Sequence, residues 1–160
     1  MKRLLLLLTA LAVSGVVAGP LLAQDNPLLG TWKLNVAKSK FVGAAAPKSL
    51  TRTVVTDGTG AKYTFTGVAA DGTAYEYSFN TNFDGRDGAV TGSGAPGGAD
   101  AIAIKRIGTN KAVGTLKKGG KEIGTAETEV SKDGKISTVK TKTKDAKGKE
   151  VTGVSVYEKQ

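Results

Sequence analysis

The stretch KYTFTGVAADGTAYEYSFNT, residues 62–81, decides the fold. Aromatic residues occupy alternate positions on both sides of a central Asp71-Gly72 pair, and polar residues fill most positions between them. Successive side chains of a strand point to opposite faces, so each half predicts a strand with one aromatic face and one polar face. Asp-Gly is a strong signal for a tight turn. The stretch therefore predicts an antiparallel hairpin with one buried face.

Similar turn signals, mostly Asp-Gly and Gly-Gly pairs, recur about every 11 to 16 residues along the chain. The runs between them are rich in Thr, Val, Ile, Tyr and Phe, which suit strands. Short turns between successive strands predict an all-β, up-and-down antiparallel meander of about eight to ten strands, and closing it into a barrel removes its exposed edges. The predicted strands are 30–36, 49–56, 60–70, 73–82, 88–93, 99–107, 111–117, 121–132, 135–145 and 149–158.

Residues 1–23 have the features of an N-terminal signal helix. A basic start, Met1-Lys2-Arg3, precedes a long apolar run and a small residue, Ala23. This order is typical of a secretory signal peptide cleaved after Ala23, and the alternative is a permanent membrane anchor of similar length. We expect an exported protein, periplasmic or secreted, whose residues 24–160 form one barrel domain.

Large apolar residues are sparse in the second half of the chain. Residues 111–150 contain no aromatic residue, and Thr, Gly and Ala dominate there. A closed barrel with this composition has an interior that its own side chains fill only partly. Such a barrel either collapses and flattens, or holds water or a ligand.

The composition argues against most catalytic chemistry. The chain contains no histidine and no cysteine, which removes the usual general base, the thiol nucleophile and the commonest transition-metal ligands. Glu127 and Glu129 stand two positions apart and are close enough for carboxylate chemistry. A solvated strand face beside the neighbouring Lys121 and Lys132 is the preferred explanation. We therefore expect a protein that is not an enzyme, with no catalytic residues, no cofactor and no metal.

Two short segments at the ends of the predicted barrel resemble the calycin group, which comprises lipocalins and fatty-acid-binding proteins. They are GTWKL, residues 30–34, and VYEK, residues 156–159. The opening is also similar to that of small exported bacterial lipocalin-like proteins without an assigned activity. The resemblance implies that Gly30 and Trp32 are structural residues at the closed end of the barrel. It also implies a small apolar or amphipathic ligand inside.

Two departures separate the chain from the fatty-acid carriers that it resembles. Those proteins hold a ligand carboxylate with a last-strand Arg-x-Tyr motif. Here Tyr157 fits the motif, but the arginine position is Ser155. The carriers also place two short helices between their first two strands. Residues 37–48 of this chain have room for one helical turn or a loop.

Arg106 is the candidate for an internal anion partner. It alternates with Ile102 and Ile104, so the three side chains share one face of their strand. If this face points inward, Arg106 needs a counter-charge or a ligand. If the opposite face points inward, Arg106 is in solvent. The predicted ligand-binding residues are Tyr63, Phe65, Tyr75, Tyr77, Phe79, Arg106 and Tyr157.

The charge balance suggests a second interpretation. Removing the leader removes Lys2 and Arg3 and lowers the net charge from +9 to +7. A basic outer face allows weak attraction to anionic surfaces, so the alternative function is an envelope or surface protein that contacts anionic polymers or lipid headgroups. Aromatic–basic platforms of the kind that bind nucleic acid are missing from the sequence, and we expect no nucleic-acid partner. We expect a monomer.

Overall fold

The computed structural model describes residues 26–144 and 147–160. The predicted leader, residues 1–23, lies outside the described residues, so the signal peptide stays a prediction. Within the described part of the chain, no helix is long and apolar enough to cross a membrane.

The described residues form one antiparallel sheet of twelve strands. The strands are β1 Gly30–Leu34, β2 Lys40–Val42, β3 Ser49–Asp57, β4 Gly60–Val68, β5 Ala74–Thr81, β6 Asp84–Ala89, β7 Thr91–Gly92, β8 Ala101–Arg106, β9 Lys111–Lys118, β10 Lys121–Val130, β11 Ile136–Lys144 and β12 Glu150–Lys159.

The strand order curls this sheet into a nearly closed barrel. Neighbours run β6-β8-β9-β10-β11-β12-β1-β3-β4-β5-β7, and β2 pairs with β12 beside this path. The two ends of the order, β6 and β7, are consecutive in the chain and are separated only by Val90. The segment they form therefore bridges the seam of the barrel. The predicted antiparallel meander closed into a barrel is confirmed.

The strand count exceeds the predicted ten partly because the segment predicted as one strand, residues 88–93, changes partners. The amide of Val90 donates to the carbonyl of Asp100, next to β8, at 2.9 Å. Three residues later the amide of Ser93 donates to the carbonyl of Glu76 in β5, at 2.8 Å. Gly92 lies between the two, with φ of 91°, a conformation that glycine adopts readily. One predicted strand is thus two short ones on opposite sides of the seam.

The connection at residues 37–48 accounts for the remaining additional strand. A single 3₁₀ turn, Val36–Lys38, follows β1, and the Asn35 side chain accepts a hydrogen bond from the Lys38 amide at 3.0 Å. The chain then forms β2, which pairs with Thr152–Val154 of β12. The expected helical turn is present, and the extra pairing was not foreseen in the sequence.

The largest fully buried side chains lie at the end of the barrel where β1 begins. Leu28, Trp32, Val54 and Val130 are at most 1% exposed. The Trp32 indole N–H donates to the Leu28 carbonyl at 3.2 Å, so the segment before β1 folds across this end. A large buried ring whose N–H is hydrogen-bonded stabilises this closed end of the barrel strongly.

Candidate ligand-binding cavity

The barrel encloses a cavity of about 620 Å³. Small-molecule sites typically span about 300–1,000 Å³, so the space suits one small ligand. The cavity extends to the end opposite Trp32, where three loops contribute mostly small residues to its lining. These mouth residues are Ala44, Ala45, Pro47, Ala69, Ala70, Asp71, Thr73, Ser93, Gly94 and Pro96.

One wall of the cavity is aromatic. Cross-strand register places Tyr63 opposite Phe79 and Phe65 opposite Tyr77 on β4 and β5. The first pair stacks with ring centroids 5.1 Å apart and the second with centroids 4.6 Å apart. The alternation in residues 62–81 therefore brings these side chains together, as predicted. Their role in binding a ligand stays a prediction.

The facing wall, on β9, β10 and β11, is made mostly of small residues, with Leu116 and Val139 as its larger members. Gly114 pairs with Ala126, and Ala126 pairs with Thr141. All three line the cavity, with Thr128 and Thr143 nearby. These side chains are too short to reach the aromatic wall, which is why the barrel is hollow. Of the two outcomes expected from the sparse second half, the structure has the open interior.

Tyr75 lies on the aromatic wall near the mouth, and two glycines make room for it. A Cβ atom on Gly67 would lie 2.7 Å from the Tyr75 ring, and one on Gly94 would also lie 2.7 Å from it. Gly94 has φ of 90°, which favours glycine further. The ring is thus packed between β4 and the β7–β8 loop and borders the entrance.

Arg52 on β3 is a cavity-lining residue that the sequence analysis missed. It is 3% exposed and lines the cavity beside Tyr157. Its guanidinium lies over the rings of Trp32 and Tyr157, at 5.3 and 4.7 Å from their centroids. It donates a hydrogen bond to Ser137 Oγ at 2.8 Å. Burial lowers the pKa of Arg52, because the charged form loses hydration there.

The sequence did contain a signal for this residue. Leu50, Arg52 and Val54 alternate along β3, and the structure turns all three inward. The same reasoning that selected Arg106 beside Ile102 and Ile104 applies to Arg52. An arginine between two apolar residues of a predicted strand is a candidate inner cation wherever it occurs.

Arg106 lies away from the cavity lining. Ile102 and Ile104 do line the cavity, so their face of β8 points inward. Arg106, half-buried at the closed end, donates a hydrogen bond to Asn26 Oδ1 and stacks over Phe83, with 5.2 Å to the ring centroid. The sequence left open whether the Arg106 side chain points inward or into solvent. In the structure it lies on the inward face of β8, at the closed end of the barrel.

The last strand contributes Tyr157 and Ser155 to the cavity, both at most 8% exposed. Serine thus stands inside the barrel at the position where the fatty-acid carriers have arginine. The buried cation comes from β3 instead, and the faces of the Trp32 and Tyr157 rings stabilise its charge.

Trp32 and Gly30 lie at the closed end. Trp32 is fully buried and is not part of the cavity lining, and Lys159 Nζ lies 5.2 Å from its ring centroid. Gly30 has φ of 124°, and a Cβ atom there would lie 2.7 Å from the Lys159 side chain. Both positions suit the structural roles that the calycin resemblance implies.

All four tyrosines of the chain line the cavity. Burial raises the pKa of Tyr63, Tyr75 and Tyr157, and it raises the pKa of Tyr77 furthest. The positive charge of Arg52 acts in the opposite direction on Tyr63, Tyr77 and Tyr157. The tyrosines are therefore neutral hydroxyls at physiological pH, able to donate and accept hydrogen bonds.

Comparisons with known proteins do not assign the chain to a family. No family model and no curated protein sequence matches the chain. The chain is similar to the crystal structure of zebrafish ileal bile acid-binding protein complexed with cholic acid, with 14% identity and a TM-score of 0.45. This match covers 84% of our chain and 99% of that one. The strand order described above carries the fold by itself.

Proposed function

We propose that the protein is a non-enzymatic binding protein that takes a small apolar or amphipathic molecule into its cavity. The observation that supports this most directly is the hollow interior of about 620 Å³ between an aromatic wall and a wall of small residues. Transfer of apolar surface from water into such a space is favourable by about 25 cal/mol per Å². We also propose, from the leader, that it acts in the periplasm or after secretion.

The acidic group in the cavity lining is poorly suited to catalysis. Asp71 lies at the mouth and is fully exposed. A hydrogen bond from the Thr73 amide, 2.8 Å long, lowers the pKa of Asp71 and keeps it ionised. A carboxylate tuned for proton transfer near neutral pH has its pKa raised instead. This favours binding over catalysis as the function of the cavity.

The alternative of a basic outer face has weaker support. Some lysines on the outer surface are paired with acids: Lys111 with Glu129 at 3.1 Å, Lys117 with Asp87 at 2.8 Å and Lys142 with Glu150 at 3.0 Å. Exposed pairs contribute little to stability, but they reduce the positive field at the surface. Contact with anionic polymers is therefore the second candidate.

A cavity-filling variant tests the proposed function. Ala126 lines the small wall, so Ala126→Leu places a branched side chain in the hollow without a cavity penalty. We expect residues 24–160, which contain every described strand, to bind the neutral dye Nile red and neutral dodecanamide. Ala126→Leu should weaken both at least tenfold while the thermal midpoint changes by a few degrees.

The matched control is Ala126→Ser, which keeps the volume of the wall nearly unchanged and should bind like the wild type. Native mass spectrometry of the purified protein, before and after delipidation, would show any molecule carried along from the host. Absence of binding by every neutral probe, or equal binding by Ala126→Leu and the wild type, would contradict the proposed function.

A further inference from the structure

The Arg52 guanidinium is a buried charge without a counter-charge. Among the described residues, no carboxylate lies within ion-pair distance of it. Its side chain donates one hydrogen bond there, to Ser137 Oγ, and its buried Nε has no acceptor. A guanidinium carries five N–H donors, so most of its hydrogen-bonding capacity is unused.

A buried charge with so few partners is costly. An isolated buried cation loses its hydration, and this cost is normally offset by a paired anion. The rings of Trp32 and Tyr157 offset part of it through their electron-rich faces. Aromatic faces do not accept the in-plane N–H groups of a guanidinium as a carboxylate does. The site is therefore electrostatically incomplete toward the cavity that Arg52 lines.

We propose that Arg52 is the anion anchor of the cavity, and that the ligand is a monoanionic amphipath whose carboxylate is held at Arg52 while its apolar body lies along the aromatic wall. The inference rests on the proposed function and names the class of ligand. Arg52 and Asp71 are the charged residues of the described lining. One buried positive charge matches one negative headgroup.

The same two charges set the orientation of the ligand. Asp71 is at the mouth and repels an anionic headgroup there, whereas Arg52 attracts it deeper in the barrel. The bound ligand therefore lies with its headgroup at Arg52 and its apolar end toward the mouth. The anchor also differs from the last-strand arginine of the fatty-acid carriers, because Arg52 is on β3 and Ser155 occupies the last-strand position.

The chain offers a close control in Arg106. Like Arg52, it stacks over an aromatic ring, donates to one side-chain oxygen and has a buried Nε without an acceptor among the described residues. Unlike Arg52, it does not line the cavity. Replacing either arginine removes one positive charge and one stacked guanidinium, and only Arg52→Gln removes the charge from the lining.

The experiment compares dodecanoate with dodecanamide, which has nearly the same shape and no charge. Isothermal titration calorimetry would measure both on the wild type, Arg52→Gln, Arg52→Lys and Arg106→Gln. A charge-assisted hydrogen bond in a buried site corresponds to about tenfold to hundredfold in affinity. We expect the wild type and Arg106→Gln to prefer dodecanoate by that factor. Arg52→Gln should lose the preference yet still bind dodecanamide, and Arg52→Lys should keep part of it.

Four outcomes would overturn the anchor. In the first, the wild type binds dodecanoate no more tightly than dodecanamide, and in the second, Arg52→Gln still prefers dodecanoate. In the third, Arg52→Gln loses affinity for both probes equally. In the fourth, Arg106→Gln loses the preference for dodecanoate and Arg52→Gln does not. The first of these leaves the proposed function standing if dodecanamide binds. Failure of both probes on the wild type overturns the two proposals together. If Arg52→Gln does not fold, the wild type and Arg52→Lys still give the answer.

Discussion

At the scale of single residues, Trp32 and Arg52 divide the interior into two parts. Cross-strand register makes them neighbours on β1 and β3. Below the guanidinium, the Trp32 ring fills the closed end and is 0% exposed. Above it, the cavity begins. The only tryptophan is therefore a packing residue, and the arginine stacked on it forms the boundary with the ligand space.

Truncating Trp32 should cost much of the stability of the barrel. We expect Trp32→Ala to lower the free energy of unfolding by about 3–5 kcal/mol, because it leaves a large cavity and removes the stacking partner of Arg52. Urea unfolding followed by circular dichroism would measure this without relying on tryptophan fluorescence. Val55→Ala, at a side chain 51% exposed, is the control and should change stability by about 0.5 kcal/mol at most. Similar costs for the two variants would contradict the packing role.

At the scale of strands, the seam formed by β6 and β7 depends on a close approach of backbones. A Cβ atom on Gly88 would collide with the carbonyl oxygen of Asn80 in β5. Gly88 also pairs with Ile102 of β8. The missing side chain of Gly88 thus lets β6 pack closely against both β5 and β8. A side chain at this position would push β5 away.

Gly88→Ala should open the seam. We expect a loss of about 1–3 kcal/mol in unfolding free energy, because the added methyl group meets backbone rather than a flexible side chain. Hydrogen exchange should become faster in β5 and β8 than in β11. Gly108→Ala is the matched control, since its nearest neighbour would be Lys111 Cβ at 3.7 Å, and it should be neutral or slightly stabilising. Equal effects at the two glycines would argue against a tight seam.

Strand positions and inward faces were largely predictable, because alternation is a local pattern. Residues 62–81 show it plainly, and the register of β4 and β5 follows from it. The split at Val90 was not predictable, because it depends on which strands lie on either side of the segment. The same alternation could have predicted that the Arg52 side chain points inward. Its lack of a carboxylate partner among the described residues, however, is a property of the assembled barrel.

At the scale of the whole molecule, the tyrosines link stability to pH. All four line the cavity, and burial raises the pKa of each. The folded protein therefore holds these protons more tightly than the unfolded chain, whose tyrosines ionise near pH 10. Their contribution is complete below that pH and is lost as the pH rises toward the folded values. Burial also lowers the pKa of Arg52, so its effect on the pH dependence of stability has the opposite sign.

We expect the free energy of unfolding to fall above pH 10, by about 1.4 kcal/mol per pH unit for each tyrosine that stays protonated in the fold. Urea unfolding between pH 8 and about pH 11.5 would measure the slope, and tyrosinate absorbance of the native protein would show delayed ionisation. Tyr77→Phe should make the slope shallower. A stability independent of pH across this range would contradict the burial of these hydroxyls.

The pairing of β1 with β12 has a consequence for the order of folding. The side chains of Asn35 and Glu158, which join the two strands at 2.9 Å, are 123 positions apart in the chain. β1 can pair early with β3 on one edge, but its other edge pairs with the distant strand β12. Closing so long a loop is entropically costly, and contacts of this range slow folding. The barrel, and with it the enclosed space, therefore forms only once β12 has joined β1 in the sheet.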